Sequence, residues 1–242
     1  TMSQLKVNKV RLSLATGVII ELLSVGLIYI LSQLTVGLIV ASFGDGSSEA
    51  LTNNTSLVLV AYILGGMATV GFTLGLMKRR KIDFSLLKLK RFHILDLGYA
   101  LAGFVVYMMI TIVVSSFIRL FAPGVNLDQE QDLGLSSVSG LLLPLTFIAL
   151  VVVAPISEEL LFRGFLYGKL KSRKLKPLFS AIVTSLLFGL VHGQLNVGID
   201  TFILSMMMIY LLEKRQSLWV TIMLHMIKNG VAFLALFVFK IV

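Results

Sequence analysis

The sequence predicts an all-α fold, a polytopic bundle of about seven transmembrane helices. Three observations predict it. Of 242 residues, 57% are apolar and 14% charged, with a mean hydropathy of +0.96, whereas a soluble domain carries about 25% charged residues. Apolar runs approaching the roughly 20 residues that cross a bilayer recur along the whole chain. Lys and Arg, finally, are confined to alternate connections between those runs. The same composition excludes a disordered chain. The net charge of +9 sits in short clusters between apolar runs, which is how a membrane protein anchors its cytoplasmic ends, so no nucleic-acid partner is expected. Cysteine is absent, which removes disulfides, thiol nucleophiles and Cys-ligated metals.

Seven runs are candidate spans: Leu12 to Ala41, Leu57 to Met77, Leu97 to Phe121, Val138 to Leu170, Leu178 to His192, Ile199 to Leu212 and Leu218 to Val242. The fifth and sixth are short. Thr1 stands ahead of Met2 and is set aside as a cloning remnant. The first run is too long for a signal-peptide core and is expected to remain as a span. Lys6, Lys9 and Arg11 precede it; Lys78 to Arg91, Lys169 to Lys176 and Lys214–Arg215 follow the second, fourth and sixth. The intervening connections, Ser42 to Ser56, Ala122 to Ser137 and Gly193 to Gly198, hold no Lys or Arg. The N-terminus is therefore expected in the cytoplasm of a multi-pass cell-membrane protein. An eighth span would arise from a break at Pro155 or at Asn229–Gly230. With no internal repeat visible, residues 1–242 read as a single integral membrane domain.

Ionisable residues near the bilayer centre cost about 2.5 to 3.5 kcal/mol each and ask for a reason. They cluster in the second half: Glu158, Glu159 and Arg163, then His192, then His225 with Lys228 and Asn229. Pro155 is expected to kink or restart the fourth helix, placing both glutamates in the first turn of the restarted segment. Glu159 and Arg163, four apart, share a face and can pair, while Glu158 points about 100° away and stays available. A purely structural role for both glutamates is disfavoured, because one suffices for Arg163. Phe188 lies one turn before His192 and is placed to pack on it. His225 and Asn229 share a helix face, where they either hold an oxyanion or bridge helices; spacing alone leaves both open. A carboxylate and two histidines on three spans form the minimum set for activating water and stabilising developing charge.

Glu-Glu-x-x-x-Arg at 158–163, Phe-x-x-x-His at 188–192 and His-x-x-x-Asn at 225–229, in that order and each within an apolar run, resemble the CAAX-protease and bacteriocin-processing (Abi) family of intramembrane proteases. The resemblance covers residues 138–237. It implies an endopeptidase in which Glu158 with His192 activates water, His225 and Asn229 polarise the scissile carbonyl and hold its oxyanion, and Glu159 and Arg163 support the geometry. It also implies a membrane-associated peptide or protein as substrate: a prenylated C-terminal motif in eukaryotic relatives, and peptide maturation, self-immunity or signalling in compact prokaryotic ones. One Glu and two His also suit an open zinc site. Metal-free chemistry without a cofactor is the expectation, and the sequence lacks a His-Glu-x-x-His helix, a Gly-x-Ser-x-Gly elbow and any Cys.

Two rivals remain, a proton-coupled transporter and a non-enzymatic bacteriocin-immunity or binding protein. The first is disfavoured because its polar residues should divide between two halves. Glu21 is expected to pair with Lys228 or a hydroxyl, and the Met206–Met208 run to be membrane core. Gly44-Asp45-Gly46 has no partner aspartate in a span, which argues against an aspartyl intramembrane protease. Helix rise puts Glu158 roughly 16 Å from Lys169 and His225 roughly 15 Å from Arg215, but His192 roughly 24 Å from Lys176, a mismatch in depth. Single cysteines at Asp128 and at Lys88 are expected to label from opposite sides with an impermeant thiol reagent; labelling at Lys88 from outside overturns the topology.

Overall fold

The computed structural model describes residues 2–43, 55–129, 135 and 138–240. Among them all regular structure is helical, a 3-10 turn at Phe84–Leu87 and seven longer helices: α1 (Met2–Phe43), α2 (Thr55–Arg79), α3 (Ile94–Phe121), α4 (Leu142–Ser172), α5 (Pro177–Leu190), α6 (Leu195–Arg215) and α7 (Leu218–Phe239). Six are long and apolar enough to cross a membrane, which makes the chain a multi-pass membrane protein. The exception is α5, whose 14 residues rise only about 21 Å. Neither candidate break forms an eighth span: α4 runs through Pro155 and α7 through Asn229–Gly230. Gly44 to Gly46 lie outside the described residues.

Helix α4 is central and touches α2, α5 and α7. Its path is irregular, π-helical at Ile148–Val153, α-helical at Ala154–Glu159 and π-helical again at Leu160–Tyr167. Pro155 occupies the first turn of the α-helical segment, and the wider π turn before it absorbs the missing donor without a break. The expected fresh helix start at Pro155 is thus corrected: Glu158 and Glu159 lie inside a continuous helix with no free N-terminus beside them. The lower half of α4 is buried throughout, from Leu160 to Tyr167, and it packs with Phe188, Leu204, Met208, Leu211 and Leu224 in the main core. Polar residues link helices where hydrocarbon offers no alternative partner: Thr69 to Ser32 at 3.0 Å and Ser185 to Ser205 at 2.7 Å.

The basic end is tied together by ion pairs and a folded loop. Glu21, 1% exposed, meets Arg173 at 2.6 Å, Arg80 at 3.4 Å and Lys169 at 3.9 Å. The expectation that it pairs with Lys228 is overturned, because Glu21 faces the basic ends of α2 and α4 whereas Lys228 meets Asp200 at 3.6 Å. Asp96 accepts from Arg215 at 2.8 Å and Ser217 at 3.0 Å, fixing the start of α3 to the α6–α7 turn. Between α2 and α3 the loop folds back, so that Trp219 donates to the Lys90 carbonyl at 2.8 Å and Leu218 N–H to that of Lys88 at 3.0 Å. Leu87 sits so close to α4 that a Cβ on Gly164 would lie 2.8 Å from its Cδ2. Within this loop burial pushes the Lys88 ammonium down, opposed by its bond to Glu213.

The other decisive approach is between α5 and α6. A Cβ on Gly189 would stand 2.7 Å from the Gly198 carbonyl oxygen, a backbone atom that has nowhere to go. Gly189→Ala is expected to lower stability by about 1 to 3 kcal/mol through overpacking. Gly71→Ala, where a Cβ meets nothing within 4 Å, should be neutral or gain up to about 1 kcal/mol of helix propensity. Thermal melts of the two variants in detergent check the contrast, and equal melting temperatures would remove the close-packing argument.

Candidate active site

The site is assembled on α4, α5 and α7. Arg163 donates from Nη1 to Glu159 Oε1 at 2.9 Å, both side chains having no exposure, and its guanidinium carbon lies 4.0 Å from the centroid of Phe188. The i,i+4 spacing that suggested this pair is realised even though Arg163 falls in the second π-helical stretch. His225 Nδ1 lies 2.8 Å from the same Glu159 oxygen. Because a carboxylate only accepts, that nitrogen carries the proton. Its other nitrogen, Nε2, is 3.9 Å from Glu158 Oε2. The His225 ring therefore stands between the two carboxylates, one buried and one with a third of its side chain accessible.

His192 is set by α5. Its Nδ1 lies 2.7 Å from the Phe188 carbonyl, so Nδ1 is the donor and the neutral ring keeps its lone pair on Nε2. The rings of Phe188 and His192 meet edge to face with centroids 4.9 Å apart. Phe188 is itself fully buried and touches Phe162 and His225 in the same manner, at 5.0 and 6.0 Å. A single aromatic ring thus carries contacts to Arg163, His192 and His225. The depth mismatch for His192 also finds its explanation. Helix α4 continues to Ser172, beyond Lys169, and α5 begins at Pro177 directly after the turn. Measured from those helix ends, Glu158 and His192 both lie about 21 to 23 Å along.

Asn229 is the least free of the expected residues. Its Nδ2 donates to the Leu150 carbonyl at 2.9 Å, in the first π-helical stretch of α4, which leaves its second N–H and its oxygen for other partners. Glu158, Glu159, Arg163 and His225 are thus brought into one connected group; His192 joins it through Phe188, and Asn229 extends from it one helical turn along α7. Among the described residues no three His, Asp or Glu side chains lie close enough to hold a metal ion together.

Two polar residues beside the site escaped the sequence reading. Asp200 of α6 accepts a short hydrogen bond from Tyr107 of α3 and pairs with Lys228 of α7. Lys228 is one position from Asn229, so the cation neighbours the site and is held there. Asp200 is hidden in the sequence by its place near the start of a short run, and Tyr107 by its ordinary occurrence in apolar helices. Beyond α5, Asn196 donates to the Gln129 carbonyl at 2.8 Å and Gln194 to the same atom at 3.0 Å, tying the α3–α4 connection to the turn that carries His192. In that connection Arg119 bonds Asp128 at 2.5 and 2.9 Å and holds its carboxyl below the usual carboxylate range.

Glu158, His192, His225 and Asn229 thus lie on α4, on the turn after α5 and on α7 of one helical membrane bundle, and comparisons with known proteins say what such a chain is similar to. Residues 140–231, which contain all three motifs, match the family model described as Type II CAAX prenyl endopeptidase Rce1-like, so the resemblance carried by the motifs is borne out over that stretch. Among curated proteins the chain is 27% identical over 135 residues to "Putative membrane peptidase YdiL" of Bacillus subtilis (strain 168). That match takes in 56% of this chain and about half, 54%, of the relative. A second relative, "Membrane-embedded CAAX protease MroQ" of Staphylococcus aureus (strain USA300), is 26% identical over 214 residues, 84% of each chain. No solved structure matches.

Removing either partner of the Glu159–Arg163 pair strands a charge that has no exposure. Glu159→Ala and Arg163→Ala are each expected to cost about 3 to 5 kcal/mol by the standard of buried pairs in soluble proteins, with membrane values at the lower end. The double variant should recover part of the folded yield. Size-exclusion yield and melting temperature of the three variants check this, and wild-type behaviour of both single variants would refute the pairing.

Proposed function

We propose that this protein is an intramembrane endopeptidase hydrolysing peptide bonds of membrane-associated peptides or proteins. The observation that carries the proposal is the accessible Glu158 carboxylate facing His225, whose far side is fixed by a buried carboxylate–guanidinium pair. Structural ion pairing accounts for Glu159 and Arg163 and leaves Glu158 unexplained, whereas hydrolysis requires such a carboxylate.

In the proposed mechanism Glu158 and the Nε2 lone pair of His192 orient and deprotonate a water molecule, whose oxygen attacks the scissile carbonyl carbon. The developing oxyanion takes hydrogen bonds from His225 Nε2, with both ring nitrogens protonated, and from the free N–H of Asn229. The acquired proton then passes to the departing amine as the C–N bond breaks. Glu159 and Arg163 hold the His225 ring, and Lys228, fixed by Asp200, adds positive charge beside the oxyanion donors. This division of labour uses the tautomer of His192 that the Phe188 carbonyl imposes and both N–H groups of His225, one held by Glu159 and one offered to the oxyanion. The names of the family model and of MroQ make CAAX-type peptides the first substrates to try. In the membrane we place the basic ends of α2, α4 and α6 at the cytoplasmic face, with the N-terminus inside, on the charge alternation of the connections.

Glu158→Gln is expected to abolish cleavage while leaving expression and membrane insertion unchanged, and comparison of membrane proteomes with active and Glu158→Gln protein identifies the substrate by its accumulation. If all peptide processing persists in the Glu158→Gln strain, the enzyme reading falls in favour of a binding protein. Asn229→Ala is expected to lower turnover by about 10² to 10³, the usual loss for an oxyanion donor. Elemental analysis of active protein tests the metal-free step: a stoichiometric zinc lost and regained with activity would overturn it.

A further inference from the structure

A hydrolase inside a bilayer must obtain water, and the α4–α5 seam carries an unusual set of polar atoms. Helices α4 and α5 run antiparallel from the tight turn at 173–176. With Arg163 over Phe188, the helical register sets Tyr167 opposite Thr184 and Lys171 opposite Ser180. The packing of Tyr167 in one cluster with Ala181 agrees with that register. Along this line Glu159 Oε2, Arg163 Nε and Nη2, Thr184 Oγ1 and Ser180 Oγ are all buried with no hydrogen-bond partner in the protein, and the Tyr167 hydroxyl between them is turned toward Glu213. The residues that carry them are at most 1% exposed. At the basic end the row reaches Lys171, which bonds Glu213 at 2.6 Å and is partly exposed; its ammonium is 5.8 Å from the Tyr167 ring centroid.

Serine and threonine in membrane helices ordinarily bond back to a carbonyl one turn earlier, as Thr69, Thr73, Thr146 and Thr201 do here. Ser180 and Thr184 do not. A guanidinium using one of its five N–H donors is costlier still, since an unmatched charged donor in a low-dielectric interior loses its whole hydration. Buried polar groups in rows such as this are satisfied by water, which takes 2 to 4 partners and bridges them.

Building on the peptidase reading, we propose that the α4–α5 seam binds a file of ordered water leading from the Lys171–Glu213 pair past Ser180, Tyr167, Thr184 and Arg163 to Glu159. The file reaches the site from behind, through Glu159 and His225, while the accessible face at Glu158 receives the peptide. Each turnover adds one water across the C–N bond, its hydroxyl to the carbonyl carbon and its hydrogen to the amine, so a bound peptide that covers Glu158 does not cut the supply.

The test is radiolytic hydroxyl-radical labelling of the intact protein in lipid nanodiscs with ¹⁸O-water as the probe, which marks side chains beside bound water irrespective of catalysis. Tyr167, 1% exposed, is expected to incorporate the isotope several-fold faster than the equally buried but seam-remote Tyr107, and Thr184→Val with Ser180→Ala to suppress that incorporation. Thr184→Ser should restore what Thr184→Val removes. Labelling of Tyr167 no faster than Tyr107, or unchanged by the apolar variants, overturns the proposal. The measurement is made on the Glu158→Gln chain as well as on wild type, so failure of the peptidase reading and failure of the water file are seen separately.

Discussion

The rest of this structure depends on one buried charge pair. Arg163 and Glu159 have no exposure and lie in the central helix, walled from water by its neighbours, so removing either strands the other's charge. Meeting that constraint organises everything near it. The same oxygen of Glu159 serves His225, which draws α7 onto α4; the face of the guanidinium is covered by Phe188, which draws in α5 and with it His192. The π-helical turns on either side of Ala154–Glu159 set the pitch at which these groups face one another, consistent with the habit of such turns to occur at functional positions. An arrangement held by a charge network and one aromatic ring is stiff, and stiffness is what a pair of histidines needs if each ring is to keep a fixed orientation.

Much of this was legible in the sequence. Apolar runs gave the helical class and the seven helices, though α5 falls short of the six that are long enough to cross a membrane, and i,i+4 spacing anticipated both the Glu159–Arg163 pair and the packing of Phe188 on His192. What remained illegible has physical reasons. Glu21 lies within an apolar run, so distance along the chain hid that it reaches Arg173, Arg80 and Lys169, which come from segments far away in sequence. Pro155 suggested a helix start because propensity alone gives no weight to a π turn that absorbs the missing donor. Asp200, the second residue of the short run Ile199 to Leu212, passed unnoticed because nothing in sequence shows that Tyr107 and Lys228 face it. The depths of Glu158 and His192 looked unequal because Lys169 was taken as the boundary of a helix that runs on to Ser172.

The two ends of the bundle differ in construction. At the basic end Glu21, Asp96, Glu213 and the folded loop at 80–93 join α1, α2, α3, α4, α6 and α7 through charged hydrogen bonds and close leucine–glycine contacts. At the opposite end the described residues join through the side-chain amides of Gln194 and Asn196 donating to the Gln129 carbonyl and through one exposed Arg119–Asp128 pair. Local opening free energies depend on bond type and burial, so the charge-linked base is the stiffer of the two ends.

Helix α5 has a consequence beyond placing His192. At about 21 Å it is shorter than the roughly 30 Å hydrocarbon slab. Lipid alongside it must shorten, tilt its chains or let headgroups sink toward the turn at 191–194. The protein therefore carries a dimple in the leaflet next to its own histidine, where polar backbone meets headgroups sooner than elsewhere around the bundle. Bilayer thickness becomes a variable of the protein's energy, and membranes of thinner lipid accommodate it at less elastic strain than thick, sterol-like ones.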